Sequence, residues 1–304
     1  MATILVTGGT GMIGKALTKA LVKLGHYIII LSRKNEERET QNISYAQWNL
    51  EQQTIDASAV QQADYIIHLA GANVGQERWT AQRKKEIVDS RVQSGQLLVK
   101  ALKENKNRVK GVISMSAIGW YGTDAEGLNP KPFVEEDGAD NSFLGKTCQQ
   151  WEAAIAPVET LGKRLVIYRT GIVLSNEGGA YKEFKRPVQA GVASILGSGE
   201  QVVSWIHIDD MVRLLVFAIE NEALKGVYNA VAPHPVTNKE LVTQIGKEKG
   251  FYIPVPVPSF ALKIALGEMS TEVLKSTTVS SQKIEAAGFT FQYPTIEAAV
   301  RQLK

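Results

Sequence analysis

An α/β fold, built on a doubly wound parallel sheet with a smaller C-terminal lobe, is what this 304-residue sequence predicts. Three observations carry that expectation. Strand-like and helix-like segments alternate through the first half, a glycine-rich turn joins the first strand to the first helix, and after about residue 174 the alternation gives way to a segment rich in Gly and Pro. The composition, 44% hydrophobic and 21% charged, is that of an ordinary globular chain and excludes a disordered chain, a collagen-like fibre and a disulfide scaffold. With 34 basic against 31 acidic side chains, the net charge of +3 predicts neither a nucleic acid nor a membrane surface as partner. The single cysteine, Cys148, permits no intrachain disulfide and fits a cytoplasmic setting. No apolar run approaches the roughly 18 residues needed to span a bilayer, and the first residues lack the pattern of a secretory signal.

The elements follow in order. The apolar run at Ile4, Leu5 and Val6 predicts a buried parallel strand over 2–7. Ala16, Leu17, Ala20, Leu21 and Leu24 recur at helical spacing, so a helix is expected over 15–24 with Gly25 closing it. Further strands are expected over 27–31, 65–69, 111–116 and 164–168, with a long amphipathic helix over 84–102. A strand over 202–208 should lead into a helix over 210–220, capped by Asp209 or Asp210. The expected division is a larger sheet domain of residues 1–174 with 203–229, and a smaller lobe of residues 175–202 with 230–304.

The strongest chemical signal is Thr7-Gly8-Gly9-Thr10-Gly11-Met12-Ile13-Gly14, set between a buried strand and an amphipathic helix. Glycines there permit unusual backbone angles, close approach to a diphosphate and tight packing of helix on strand. The helix N-terminus adds free N–H groups and a positive dipole end. Gly9 to Lys15 also fits the first part of a nucleoside-triphosphate loop, but Ala16 stands where that loop needs a hydroxyl for magnesium. After the second strand the chain reads Ser32-Arg33-Lys34, with no acid to bind ribose hydroxyls. A guanidinium there suits a 2′-phosphate, so NADP(H) is expected rather than NAD(H).

The opening turn resembles the T-G-x-x-G-x-x-G of extended short-chain dehydrogenases/reductases, and His68-Leu69-Ala70-Gly71-Ala72 resembles the strand that runs past their cofactor. Asp89-Ser90-Arg91, Ser116-Ala117-Ile118-Gly119-Trp120-Tyr121-Gly122, Trp151-Glu152, Arg169-Thr170-Gly171, Ser204-Trp205-Ile206-His207-Ile208-Asp209-Asp210 and Tyr228-Asn229-Ala230 are similar to one atypical subgroup, the epimerase-family proteins with a C-terminal domain of unknown function. The resemblance spans essentially the whole chain. It implies a Rossmann-type fold, bound NADP(H) and a smaller substrate lobe; relatives often dimerise, which makes a homodimer an option. It also implies cofactor contacts from Gly8, Thr10, Gly11, Met12, Ile13, Gly14, Ser32, Arg33, Leu69, Ala70, Gly71 and Val173. Glu86 and Arg91 would face the adenine half or the phosphates, unless they form a solvated helix face.

The superfamily's Ser, Tyr and Lys relay is incomplete. Anchored on Glu152, the Tyr and Lys positions fall on Leu144 and Cys148, and Lys146 is out of register. Ser116 remains to orient a substrate oxygen. Tyr121 is a candidate proton donor, or packs structurally; Cys148 reads as a small buried side chain. The four histidines, His26, His68, His207 and His234, are too scattered for a metal site, and none is expected. Gly197-Ser198-Gly199 with Gln201 either lines a substrate pocket or forms a plain loop. Three functions are in play: an NADP(H)-dependent oxidoreductase acting on a small carbonyl or alcohol, a nucleotide-sugar epimerase or dehydratase, and a non-catalytic NADP(H)-binding sensor or scaffold.

Overall fold

Along the first strand Ile4 and Val6 point to one face and Leu5 to the other, and all three are fully buried. A strand apolar on both faces needs cover on both, and the computed structural model of the chain supplies it. It describes residues 1–33, 40, 42–125 and 131–304; Lys34, read above with Ser32 and Arg33, lies outside them. The strands are β1 (Thr3–Thr7), β2 (Tyr27–Ser32), β3 (Ile43–Asn49), β4 (Thr54–Ile55), β5 (Tyr65–His68), β6 (Gly111–Ala117), β7 (Arg164–Thr170), β8 (Ile172–Leu174), β9 (Val192–Leu196), β10 (Val202–Val203), β11 (Trp205–His207), β12 (Gly226–Ala230), β13 (Val236–Thr237) and β14 (Ile253–Val257). The helices are α1 (Met12–Lys23), α2 (Ala57–Gln62), α3 (Ala81–Glu104), α4 (Phe143–Ile155), α5 (Gly179–Gln189), α6 (Ile208–Glu220), α7 (Asn238–Lys249), α8 (Ser259–Leu266), α9 (Ser270–Leu274), α10 (Gln282–Ala286) and α11 (Ile296–Gln302).

The main sheet runs β12-β7-β6-β5-β1-β2-β3-β4, parallel except for the β3–β4 pair. Leu17 and Leu21 of α1 and Leu214 and Leu215 of α6 cover one face; Leu97 and Leu98 of α3 and Ile155 of α4 cover the other. This is the doubly wound sheet the sequence predicted. Gly25, with φ +80°, closes α1 through its amide to Val22 O at 3.0 Å. Strand order reverses between β1 and β5, and in such sheets a crevice opens at the carboxyl ends of those strands.

A third apolar cluster joins Tyr181, Leu241, Ile245 and Val300 to Leu174, Val203 and Trp205. The strand expected over 202–208 is two short pieces outside the main sheet: β10 pairs with β13 and β11 with β8. Ser204 separates them, its hydroxyl donating to Thr277 O at 2.8 Å and accepting Val279 N at 3.0 Å. The cap of α6 is His207, whose Nδ1 accepts Asp209 N at 3.1 Å, rather than either aspartate. Asp210, fully buried, instead receives Gln292 N, Tyr293 N and Arg213. β14 is a mostly exposed edge strand that pairs with β9, with Ile253 N donating to Gly191 O at 2.8 Å.

Candidate functional site

The turn between β1 and α1 has no room for side chains. Gly8 sits at φ +69°, and a Cβ on it would stand 2.9 Å from the Leu69 carbonyl carbon. On Gly14 a Cβ would lie 2.3 Å from Gly8 O. Gly11 caps α1 without a side-chain acceptor, so the first-turn amides face outward uncapped. Thr7 locks this turn to the neighbouring one. Its hydroxyl accepts Leu69 N and Ala70 N, each at 3.1 Å, which leaves its own proton for His68 Nδ1 at 2.8 Å. His68 Nε2 then carries its hydrogen toward Ser94 Oγ, 3.3 Å away. Burial pushes this imidazole down to about 4, so it is neutral at pH 7.

A cleft of about 800 Å³ opens along the carboxyl ends of β1, β2 and β5. Of the residues expected at the cofactor, Gly8, Thr10, Gly11, Ser32, Arg33, Leu69, Ala70, Gly71 and Glu86 line it. Met12 and Val173 are not among the residues lining the cleft; both lie close to Gly179. Ile13 is half-buried on α1, and Gly14 is buried against the turn. Arg91 stands behind Gly71, where a Cβ would approach its Cζ to 3.1 Å. Trp48, Leu50, Asn73, Gln76, Arg83 and Ser90 also line the cleft and were not anticipated. The alternation in Ile43–Asn49 was the available signal for Trp48. Arg83 is buried; it donates to Glu86 Oε2 and Asn73 O, both at 2.6 Å, while its Nε has no partner among the described residues.

Beyond the end of β6 the character changes. Ser116 Oγ donates to Glu152 Oε1 at 2.7 Å, and the same carboxylate takes Arg169 Nε at 2.9 Å and Nη2 at 3.0 Å. Arg169 Nη1 donates to the Tyr121 hydroxyl oxygen at 3.1 Å, and that hydroxyl donates to Asn229 Oδ1 at 2.7 Å. Glu135 closes the circuit by accepting Asn229 N at 2.7 Å. The guanidinium lies 3.7 Å from the Trp120 ring centroid. Burial opposes charge on Arg169, but the bonds and charge of Glu152 outweigh it and hold the guanidinium above its ordinary value. Tyr121 is 0% exposed, and burial pushes its phenol up to about 12. Leu144 packs against Gly119, and Cys148 Sγ donates to Ala117 O at 3.6 Å. Burial, with Glu152 nearby, pushes that thiol up to about 11, so it stays protonated at neutral pH.

Arg169, Glu152 and Asn229 stood in the motifs quoted above without being read as a circuit. An arginine directly after the buried run Leu165-Val166-Ile167-Tyr168 was the signal, since a buried charge demands a partner. His207, fully buried, is structural: its Nε2 meets Gln302 Oε1 at 2.9 Å. Gln201 Nε2 donates to Leu196 O at 2.9 Å, tying down its own loop. Among the described residues, no three His, Cys, Asp or Glu side chains are grouped to hold a metal, and no helix is long and apolar enough to cross a membrane.

Comparison with known proteins gives these features a context. The family model described as "NAD dependent epimerase/dehydratase family" matches residues 4–230. The chain belongs to that family. A second model, a domain of unknown function, matches residues 257–303. An epimerase family protein of Staphylococcus saprophyticus is 37% identical over 100% of this chain and 99% of its own length. One from Mycobacterium leprae is 35% identical over 98% of this chain and 94% of its own length. Among solved structures, the human epimerase family protein SDR39U1 (isoform 2) with NADPH superposes with TM-score 0.88 at 29% identity, covering 99% of this chain and 98% of that one. A nucleoside-diphosphate sugar epimerase from Corynebacterium glutamicum gives TM-score 0.78 at 30% identity over 99% of this chain and 58% of that one. The two bacterial relatives are thus similar to the present chain over nearly the whole length of both.

Proposed function

We propose that the chain is an NADP(H)-dependent oxidoreductase of the atypical extended short-chain type, working in the cytoplasm on a small carbonyl or alcohol. The observation that carries this reading is the glycine-floored cleft whose β2 end presents Ser32 and Arg33 and, among the described residues, no acid. The residues fit the cofactor: Gly8 and Gly14 let the turn close against Leu69 and against itself, where a Cβ would clash with backbone, and the α1 amides that the turn presents lack a side-chain cap. The human relative crystallised with NADPH points the same way. NADP(H), when bound, would donate or accept a hydride. The Gly8–Gly14 turn would hold the diphosphate, and Arg33 would pair with the 2′-phosphate. Leu69 and Ala70, fixed by Thr7, would form the cleft wall. The substrate would lie between the sheet and the lobe of residues 175–202 and 230–304.

For proton movement, Ser116 and Tyr121 belong to one buried circuit with Glu152 and Arg169. A phenol held at about 12 and fully enclosed suits positioning of Arg169 better than proton donation. Water at the substrate would then be the proton source. Leu144 and Cys148, which bring no base to α4, favour as second reading a non-catalytic NADP(H)-binding protein. The deciding experiment is calorimetric titration with NADPH and NADH, followed by turnover on a panel of aldehydes, ketones and nucleotide sugars. NADPH is expected to bind at least tenfold tighter than NADH, and Arg33→Ala to remove that preference while leaving NADH affinity unchanged. Equal losses for both dinucleotides would refute the 2′-phosphate role, and binding of neither would end the oxidoreductase reading.

A further inference from the structure

A second hollow, of about 230 Å³, lies in the smaller lobe and shares no lining residue with the cleft. Three helices shape it. Tyr181, Lys185 and Val188 stand at i, i+4 and i+7 on α5 and so share one face of that helix. Ile245, Glu248 and Lys249 share a face of α7 in the same way. Val300 on α11 and Leu303 just after it complete the wall. The lining is mostly aliphatic, with a phenol and a few charges set into it.

Those polar groups are not matched internally as they are around Arg169. Tyr181 is 1% exposed, and among the described residues its hydroxyl makes no hydrogen bond. A buried phenol ordinarily has a partner. Both lysines are held in place by oxygen atoms that carry no full charge. Lys185 Nζ donates to Asn176 Oδ1 at 2.8 Å and to Leu303 O at 2.7 Å. Lys249 Nζ donates to Val188 O at 2.9 Å and also to Gln189 O. An ammonium has three donors, so each keeps one, and among the described residues neither meets a carboxylate. Lys185 Nζ stands 6.0 Å from the centre of the Tyr181 ring, which puts a cation and an unused hydroxyl on one stretch of wall. The acidic side chain in the lining, Glu248, is engaged elsewhere: its Oε1 accepts Gln244 Nε2 at 3.4 Å and faces Arg301 Nε at 3.8 Å. Two fixed cations against one engaged carboxylate leave the hollow positive.

Size and charge together define the occupant. The volume falls below the roughly 300 Å³ at which sites for drug-sized molecules begin, which leaves room for a single ring or a short alkyl chain. A neutral molecule would leave the two ammonium charges uncompensated, and a cation would be repelled by them. We propose that this hollow binds a small amphipathic carboxylate. Its hydrocarbon part lies against Val188, Ile245, Val300 and Leu303. Its carboxylate accepts from Lys185 and the Tyr181 hydroxyl, with Lys249 adding a second positive charge. The site is separate from the cleft, and it stands whether or not NADP(H) is the cofactor there.

Benzoate and hexanoate test this, with benzyl alcohol and hexylamine as their neutral and cationic counterparts. Each is titrated into the whole chain, up to about 10 mM, where even a millimolar Kd registers, and followed by ligand-observed NMR and by thermal melting. Both carboxylates are expected to bind and to raise the melting temperature; the alcohol should bind about tenfold more weakly and the amine not at all. Tyr181→Phe keeps the ring, so it should melt at the parent temperature without ligand while weakening the carboxylates about fivefold. Lys185→Met should weaken them further, and Val300→Trp, which fills the hollow, should abolish binding. Failure of both carboxylates to bind, equal binding of the alcohol, or undiminished binding to Val300→Trp would each overturn the proposal. Should Lys185→Met or Val300→Trp not fold, Tyr181→Phe decides alone: parent-like affinity for both carboxylates would refute the site.

Discussion

Two regions at the carboxyl edge of the same sheet solve opposite problems. Around β1, β2 and β5 the protein is built from what is missing: side chains at Gly8, Gly11 and Gly14, a side-chain cap on α1, and, among the described residues, a partner for Arg83 Nε. Around β6, α4 and β7 nearly every polar atom is spoken for, from Ser116 through Glu152, Arg169 and Tyr121 to Asn229. An open region with uncapped first-turn amides fits the proposed cofactor site. A closed one, with its charges neutralised internally, confers rigidity and leaves little to give a substrate. The difference teaches where loss of stability and loss of affinity should part company.

The largest expected effect is on the closed region. Glu152→Ala leaves Arg169 buried without its partner and should cost about 3–5 kcal/mol in chemical denaturation, while protein that remains folded binds NADPH as before. Next comes the open region. Gly14→Ala forces a methyl into the 2.3 Å gap to Gly8 O and should cost roughly 1–3 kcal/mol; calorimetry should detect no NADPH binding. If Glu152→Ala lost affinity and Gly14→Ala kept it, the division between the two regions would be wrong.

A pH scan sharpens the comparison at the joint between them. His68 is lowered from 6.5 to about 4 by burial. The unfolded chain therefore binds its proton first, and the stability contributed by the neutral ring is present above pH 6.5 and lost as pH falls toward 4. Between pH 7 and 5 the loss should be about 2 kcal/mol. His207, lowered in the same direction by burial, adds to the slope, so the His68→Gln difference isolates the first ring; an unchanged slope would contradict its neutral state. Smallest is Tyr121→Phe, which removes one hydroxyl from the circuit and should cost about 1 kcal/mol. Turnover, once a substrate is known, should persist; its complete loss with unaltered folding would restore Tyr121 as the proton donor.

The open region was the more legible in sequence, for a physical reason. A glycine forced by backbone crowding and an absent acid after a strand are local facts, written within a few consecutive residues. Thr7 to Gly14, Ser32, Arg33 and the turn after β5 could be read that way, and so could the parallel strands with their continuous apolar runs. The circuit could not. It joins residues 116, 121, 135, 152, 169 and 229, brought together only by packing of β6, α4, β7 and β12, and no local pattern says that Glu152 faces Arg169. The break at Ser204 was illegible for the same reason: two bonds to Thr277 and Val279, more than 70 residues away, divide what reads as one strand. The short amphipathic β3 escaped notice, and with it Trp48 in the cleft wall.

The edge strand β14 carries a consequence for how this molecule survives in concentrated solution. Its odd residues turn their amides toward β9, beginning with Ile253. The even ones, Pro254 and Pro256, turn outward, and proline has no N–H to offer. Ile253 and Val255 are 54% and 39% exposed, and Phe251 beside them 68%, a greasy rim that would otherwise invite strands from neighbouring molecules to join it. Deprived of donors on that side, the rim can be sticky without serving as the template of a growing fibril.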